Sequence, residues 1–159
     1  MSATAPPPAI PDLSRELWLK KHDALPRMPQ NIFFDSIAKN HYLVQLPHIK
    51  QAAFLELTCL DALYGGAASG GKSSAILMGA LQFVTVPGYA ALIVRRRFKD
   101  LELPGGLIDR ALDWLKGKAH YNAQEHRWRF KEGGTLQFGY ADNEGDERRY
   151  DGSEFQYIG

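Results

Sequence analysis

An α/β fold, a parallel sheet flanked by helices, is predicted by three observations along the chain. Gly66-Ala67-Ala68-Ser69-Gly70-Gly71-Lys72-Ser73 fits the phosphate-binding pattern Gly, four residues, Gly-Lys-Ser/Thr. Apolar runs of strand length stand on both sides of it, Leu60 to Tyr64 before and Tyr89 to Val94 after. The stretch between, from Ser73 to about Val84, is apolar on most sides and has helical length. Strand, loop, helix and strand make a βαβ unit, whose right-handed crossover renders the strands parallel and puts the loop at their C-terminal edge. Chance alone would place the loop pattern in a chain of this composition with odds of roughly one in two hundred.

Each element has its own justification. Pro6, Pro7, Pro8 and Pro11 remove backbone donors and fix φ, so residues 1–11 are expected as a disordered arm. Residues 12–46 form a helical and irregular segment, in which Leu13, Leu17 and Trp18 mark a short amphipathic helix over Asp12 to Lys21, ended before Pro26. Residues 47–159 carry the phosphate-loop domain. Pro47 opens a helical segment through about Leu57, and the strand Leu60 to Tyr64 follows, with Asp61 near its start. Ile76, Leu77, Met78, Leu81 and Phe83 pack the next helix against a sheet, and Pro87-Gly88 stops it. Ile108, Leu112 and Leu115 stand at helical spacing in Leu107 to Leu115. Trp128 to Phe130 and Thr135 to Tyr140 flank Lys131-Glu132-Gly133-Gly134 as a hairpin inserted into the fold. Phe155 to Ile158 reads as the start of a further strand.

The whole chain limits the function classes. Its 159 residues, 45% hydrophobic and 23% charged, can bury one sizeable core but not two. A net charge of +1, from 19 basic and 18 acidic side chains, supplies no global field for a nucleic acid. Cys59 is the single cysteine, which forbids an internal disulfide or a cysteine zinc cage and suits a reducing cytosol. The longest apolar run is far too short to span a bilayer, and no export signal opens the chain.

The loop's residue types match the demands of a triphosphate, a hydrated anion held only by many converging donors. Gly66 permits the turn out of the strand, Gly71 allows close backbone approach, and the amides from about Ala68 to Ser74 line up at the positive end of the helix. Lys72 reaches the β and γ phosphates of ATP, and Ser73 offers a hydroxyl ligand to Mg2+. The alternative is a glycine-rich turn that happens to precede a helix, with Lys72 capping or solvated. Hydrolysis also needs a carboxylate at the end of a neighbouring strand. Asp142 follows Thr135 to Ala141, but that segment alternates like a half-solvated hairpin strand, so Asp142 is set aside. The better position lies just beyond Phe155-Gln156-Tyr157-Ile158-Gly159, so the domain is expected to be incomplete, stopping before the acids.

Several ordered features resemble the large subunit of tailed-phage terminases, the ATP-driven DNA-packaging motor. They are the glutamine in Pro47-His48-Ile49-Lys50-Gln51-Ala52-Ala53-Phe54-Leu55, the loop Gly65 to Ser73, Ala91-Leu92-Ile93-Val94-Arg95-Arg96-Arg97 on the second strand, and Tyr150-Asp151-Gly152-Ser153-Glu154-Phe155 leading into a third. The resemblance covers the chain from about His41 to Gly159. It implies a P-loop ATPase that powers DNA packaging into proheads in its full-length form. Double-stranded DNA, the terminase small subunit and the portal would be its partners, in the bacterial cytoplasm, without a membrane, and with homo-oligomers only in the full motor. The nucleotide site implied comprises Gln51, Gly66, Ala67, Ala68, Ser69, Gly70, Gly71, Lys72, Ser73 and Ser74, with Ser73 on Mg2+. Gln51 resembles the family's adenine-reading glutamine, and a solvated helix glutamine is the alternative. Many members carry an arginine early in the loop where Ala67 and Ala68 stand, so an arginine finger would come from Arg95, Arg96 or Arg97, with at least two of the three in a solvated or DNA-facing patch. The family's Asp-Glu pair, coupling motif and nuclease domain are absent, which implies nucleotide binding and leaves hydrolysis open. A non-catalytic nucleotide-binding fragment and a fragment of another P-loop ATPase, such as a helicase, are the competing functions.

Other constellations carry no chemistry. The five histidines are scattered without metal-ligand spacing. Asp142, Glu144, Asp146 and Glu147 lack the central glycine of a calcium loop. Trp114, Trp128 and Tyr121 suit core and hairpin packing rather than base stacking.

Overall fold

The computed structural model describes residues 27–66 and 71–159. The expected proline arm, the helix from Asp12 to Lys21, and Ala67, Ala68, Ser69 and Gly70 lie outside the described residues. The described elements, in order, are α1 (Gln30–Ala38), α2 (Ile49–Leu55), α3 (Lys72–Leu81), β1 (Ala90–Arg95), α4 (Lys99–Glu102), α5 (Leu107–Leu115), β2 (His120–Asn122), β3 (Arg127–Arg129), β4 (Thr135–Tyr140), a 3-10 turn (Asp146–Tyr150) and β5 (Tyr157–Ile158).

The class is α/β: one open five-stranded sheet, ordered β2-β3-β4-β1-β5, flanked by helices. The interior strand β1 is apolar from Ala90 to Val94, as suits a strand covered on both faces. It pairs in parallel with β4, Ala90 opposite Thr135 through Arg95 opposite Tyr140, and with β5 on its other side. The ladder runs on past β5, since the Val94 amide donates to Gly159 O at 2.8 Å and the Gly159 amide to Leu92 O at 2.9 Å. β2, β3 and β4 are antiparallel neighbours.

Leu77, Met78 and Leu81 bury the inner side of α3, with Val84 just beyond it, in one cluster with Ala91 and Ile93 of β1, Leu136 and Phe138 of β4, and Ala111, Trp114 and Leu115 of α5. Side chains alternate faces along a strand, so Ala91 and Ile93 define the face of β1 that carries α3 and α5. The far end of α3 is tied down by Asn40, which is 6% exposed. Its amide donates to the carbonyls of Leu81 at 2.8 Å and Gln82 at 3.3 Å, and its oxygen accepts from the Tyr42 amide at 3.0 Å. The Asn40 amide thus adds a partner to carbonyls at the helix end, where Leu81 O also accepts the Val84 amide at 3.3 Å.

Several expectations hold, and four need correction. The helix over Leu107–Leu115 and the strand at Thr135–Tyr140 have the predicted bounds, and Trp114 and Trp128 are core residues at 7% and 2% exposure. No strand forms over residues 60–64: Leu60 and Leu63 are 99% and 98% exposed, unpaired with any described strand. The first half of the expected βαβ unit is therefore missing, and the parallel pairs come from β4, β1 and β5 instead. The sheet is mixed rather than parallel. The hairpin is not an insertion, because β4 is an interior strand between β3 and β1. Finally, α1 and β2 occupy stretches that carried no element in the prediction. Among the described residues no helix is long and apolar enough to cross a membrane.

Candidate functional site

Two glycines with positive φ bracket the loop, Gly66 at 149° and Gly71 at 74°. Both values fall where a β-carbon is disfavoured. Gly71 is the residue before α3, and its carbonyl accepts the Ala75 amide at 3.0 Å, the first intrahelical bond. Its conformation favours glycine, and a β-carbon on Gly71 would stand 2.7 Å from Gln51 Nε2, so the Gln51 amide would have to shift. Lys72 folds back across the loop, its ammonium donating to Gly66 O at 2.8 Å. Ser73 is half-buried on the first turn of α3 and Ser74 is buried. That turn holds Lys72, no acid, and no capping side chain. Amides at the start of a helix have no partner four residues back, and the helix dipole adds positive potential, so such a turn favours an anion.

Contacts with the sheet fix where this turn lies. Tyr89, just before β1, donates its hydroxyl to Gly79 O at 3.4 Å, near the end of α3. Tyr157 of β5 donates to Ile76 O at 3.1 Å, and the Ile76 side chain lies over Gly159. α3 thus runs antiparallel to β1, and its first turn projects past the C-terminal edge of the parallel strands. β1 is also where the chain passes from one side of the sheet to the other, to β4 first and then to β5. Open α/β sheets bind ligands at such an edge.

The three arginines at the end of β1 separate. Arg96 is 81% exposed and donates to Asp142 at 3.2 Å; Arg97 is 68% exposed and donates to Asp100 at 3.1 Å. Arg95, the last residue of β1, is half-buried and shares by alternation the face of Ala91 and Ile93, the face of α3. Asp142 follows an interior strand next to β1, so the ground for setting it aside does not hold, although its carboxylate is engaged by Arg96.

Gln51, 2% exposed, reaches the site from α2. Its oxygen accepts from the His48 amide at 2.8 Å and its nitrogen donates to Gly71 O at 2.9 Å. Beside it, His48, Ile49, Lys50, Gln51 and Tyr64 line a cleft of about 340 Å³.

Arg110 belongs to the site without having been foreseen: its guanidinium donates to the Ser74 hydroxyl. The available signal was a charged residue three positions after Leu107 and four before Trp114, on the flank of the apolar stripe of α5. Among the described residues no three His, Cys, Asp or Glu side chains gather as a metal cage. Magnesium on a nucleotide needs none, since it keeps several waters and phosphate oxygens and takes one or two protein ligands. The Ser73 hydroxyl fits that requirement. Neither models of known protein families nor curated proteins nor solved structures provide a match to this chain.

Proposed function

We propose that this chain is the ATP-binding part of a P-loop ATPase of the terminase large-subunit type, the motor that drives viral DNA into proheads. One observation carries the proposal: the Gly66 to Ser73 pattern joins a left-handed Gly71 to an acid-free helix start at the C-terminal edge of parallel strands. Chemically, the amides of residues 67–74 would surround the β and γ phosphates. Lys72 would exchange the Gly66 carbonyl for phosphate oxygens, a better partner for an ammonium. Ser73 would ligate Mg2+, which spreads the charge of the bound phosphates. Arg95 is the favoured arginine for the γ phosphate, because Arg96 and Arg97 already hold carboxylates. DNA, a small subunit and a portal are the partners this function entails, in a cytoplasmic setting.

Equilibrium titration with MgATP tests the proposal. The wild-type chain is expected to bind one equivalent saturably, and Lys72→Ala to lose at least about tenfold in affinity, the scale of a charge-assisted contact to phosphate. Equal binding by both proteins would refute it. Phosphate release above the Lys72→Ala level would further assign hydrolysis to this chain.

A further inference from the structure

We infer that Gln51 is a positioning residue that aims the phosphate-binding backbone, and not a reader of the nucleotide base; this rests on the assignment of Gly66 to Ser73 as a phosphate site. A side-chain amide can read a base only by presenting its donor and acceptor to an open edge. Gln51 as a residue is 2% exposed, and both ends of its amide are engaged within the chain, the oxygen by the His48 amide at 2.8 Å and the nitrogen by Gly71 O at 2.9 Å.

The second of these bonds has a directional consequence. Gly71 O also accepts the Ala75 amide at 3.0 Å, so both lone pairs of this carbonyl are held. In a planar trans peptide the C=O and the following N–H point opposite ways. Pinning Gly71 O toward α2 and the body of α3 therefore aims the Lys72 N–H off the start of the helix, where phosphate oxygens would sit. The absent β-carbon at Gly71 lets the Gln51 amide come this close, since that carbon would lie 2.7 Å from Nε2. The glutamine and the last glycine of the loop thus form one unit. Its ligand class is the polyphosphate, whatever base it carries.

Gln51→Glu separates the possibilities, because it keeps an acceptor for the His48 amide but sets a carboxylate oxygen against Gly71 O. Gln51→Met, close in volume and without a buried charge, removes both bonds and guards against misfolding of the first variant. Affinities for MgATP, MgGTP and magnesium tripolyphosphate are measured for all three proteins, with melting temperatures alongside. The expected result is a loss of about tenfold, equal for the three ligands. A loss confined to MgATP would make Gln51 a base reader and overturn the inference. Unchanged affinities with a lowered melting temperature would overturn it as well, leaving only a packing role. A wild-type chain that binds none of the three would instead remove the phosphate site itself, and the inference with it.

Discussion

Individual residues do more than their type alone announces. Gly71 combines a φ of 74° with close approach of the Gln51 amide, and Arg110 braces the first turn of α3 through Ser74. Asn40 is the counterpart at the other end of the same helix, with both ends of its amide satisfied by backbone. Replacing Asn40 by Ala would leave the carbonyls of Leu81 and Gln82 and the amide of Tyr42 without this partner in a buried place. The expected cost is about 1–3 kcal/mol of unfolding free energy. Urea denaturation of Asn40→Ala against wild type measures it, and a change below a few tenths would show that water replaces the amide at no cost. The sequence marked the loop glycines and Lys72 because their spacing is itself the signal. It marked neither Asn40 nor Arg110, whose partners lie 41 and 36 positions away.

At the level of elements, legibility followed the periodicity of burial. Helix α5 was readable from the spacing of Ile108, Leu112 and Leu115, although Leu112 is 41% exposed and the buried side consists of Leu107, Ile108, Ala111, Trp114 and Leu115. β4 was found, yet its environment was misjudged. Its alternation of apolar residues with Gln137 and Gly139 suggested a solvated outer face, but Gly139 is buried, with the Tyr150 ring lying directly on it. The Tyr150 hydroxyl accepts from the Tyr140 amide at 2.9 Å and donates to the Tyr140 carbonyl at 3.2 Å, taking the part of a strand neighbour where β3 has ended. No periodicity in β4 encodes a cover supplied by a later segment. β2 has three residues, too few to display any period. The run at 60–64 shows the opposite error: apolar composition suggested a buried strand, whereas Leu60 and Leu63 face solvent because no described strand pairs with them. Composition measures the tendency to be buried, and the partner decides whether burial occurs.

For the whole molecule, the buried phenols set the response to pH. Tyr42, 1% exposed, is pushed up to about 12 from an ordinary 10.0, first by burial and then by donating to Glu132 at 2.6 Å. Burial likewise pushes Tyr157 up to about 12 and raises Tyr89. Raised values mean that the folded chain favours the protonated phenols, so their contribution is complete below pH 10.0 and is lost as pH climbs through about 12. Glu132 is lowered, chiefly by the Tyr42 hydroxyl, and Asp146 is lowered by the amides of Asn143 and Asp142. Their contributions are present above the ordinary carboxylate range and fade as pH falls through the lowered values. The melting temperature should therefore hold across neutral pH, decline gently in acid and fall steeply in alkali. Tyr42→Phe should soften both limbs, and an unchanged pH profile for that variant would contradict the coupling of Tyr42 to Glu132.

The central claim is that the backbone from Gly66 to Ser74 holds a nucleotide's phosphates, and amide hydrogen exchange of that segment with and without MgATP tests it most directly. Wild type should gain strong protection in peptides covering residues 66–75, and Lys72→Ala should gain little. Protection that appears only elsewhere, or equally in the variant, would contradict it.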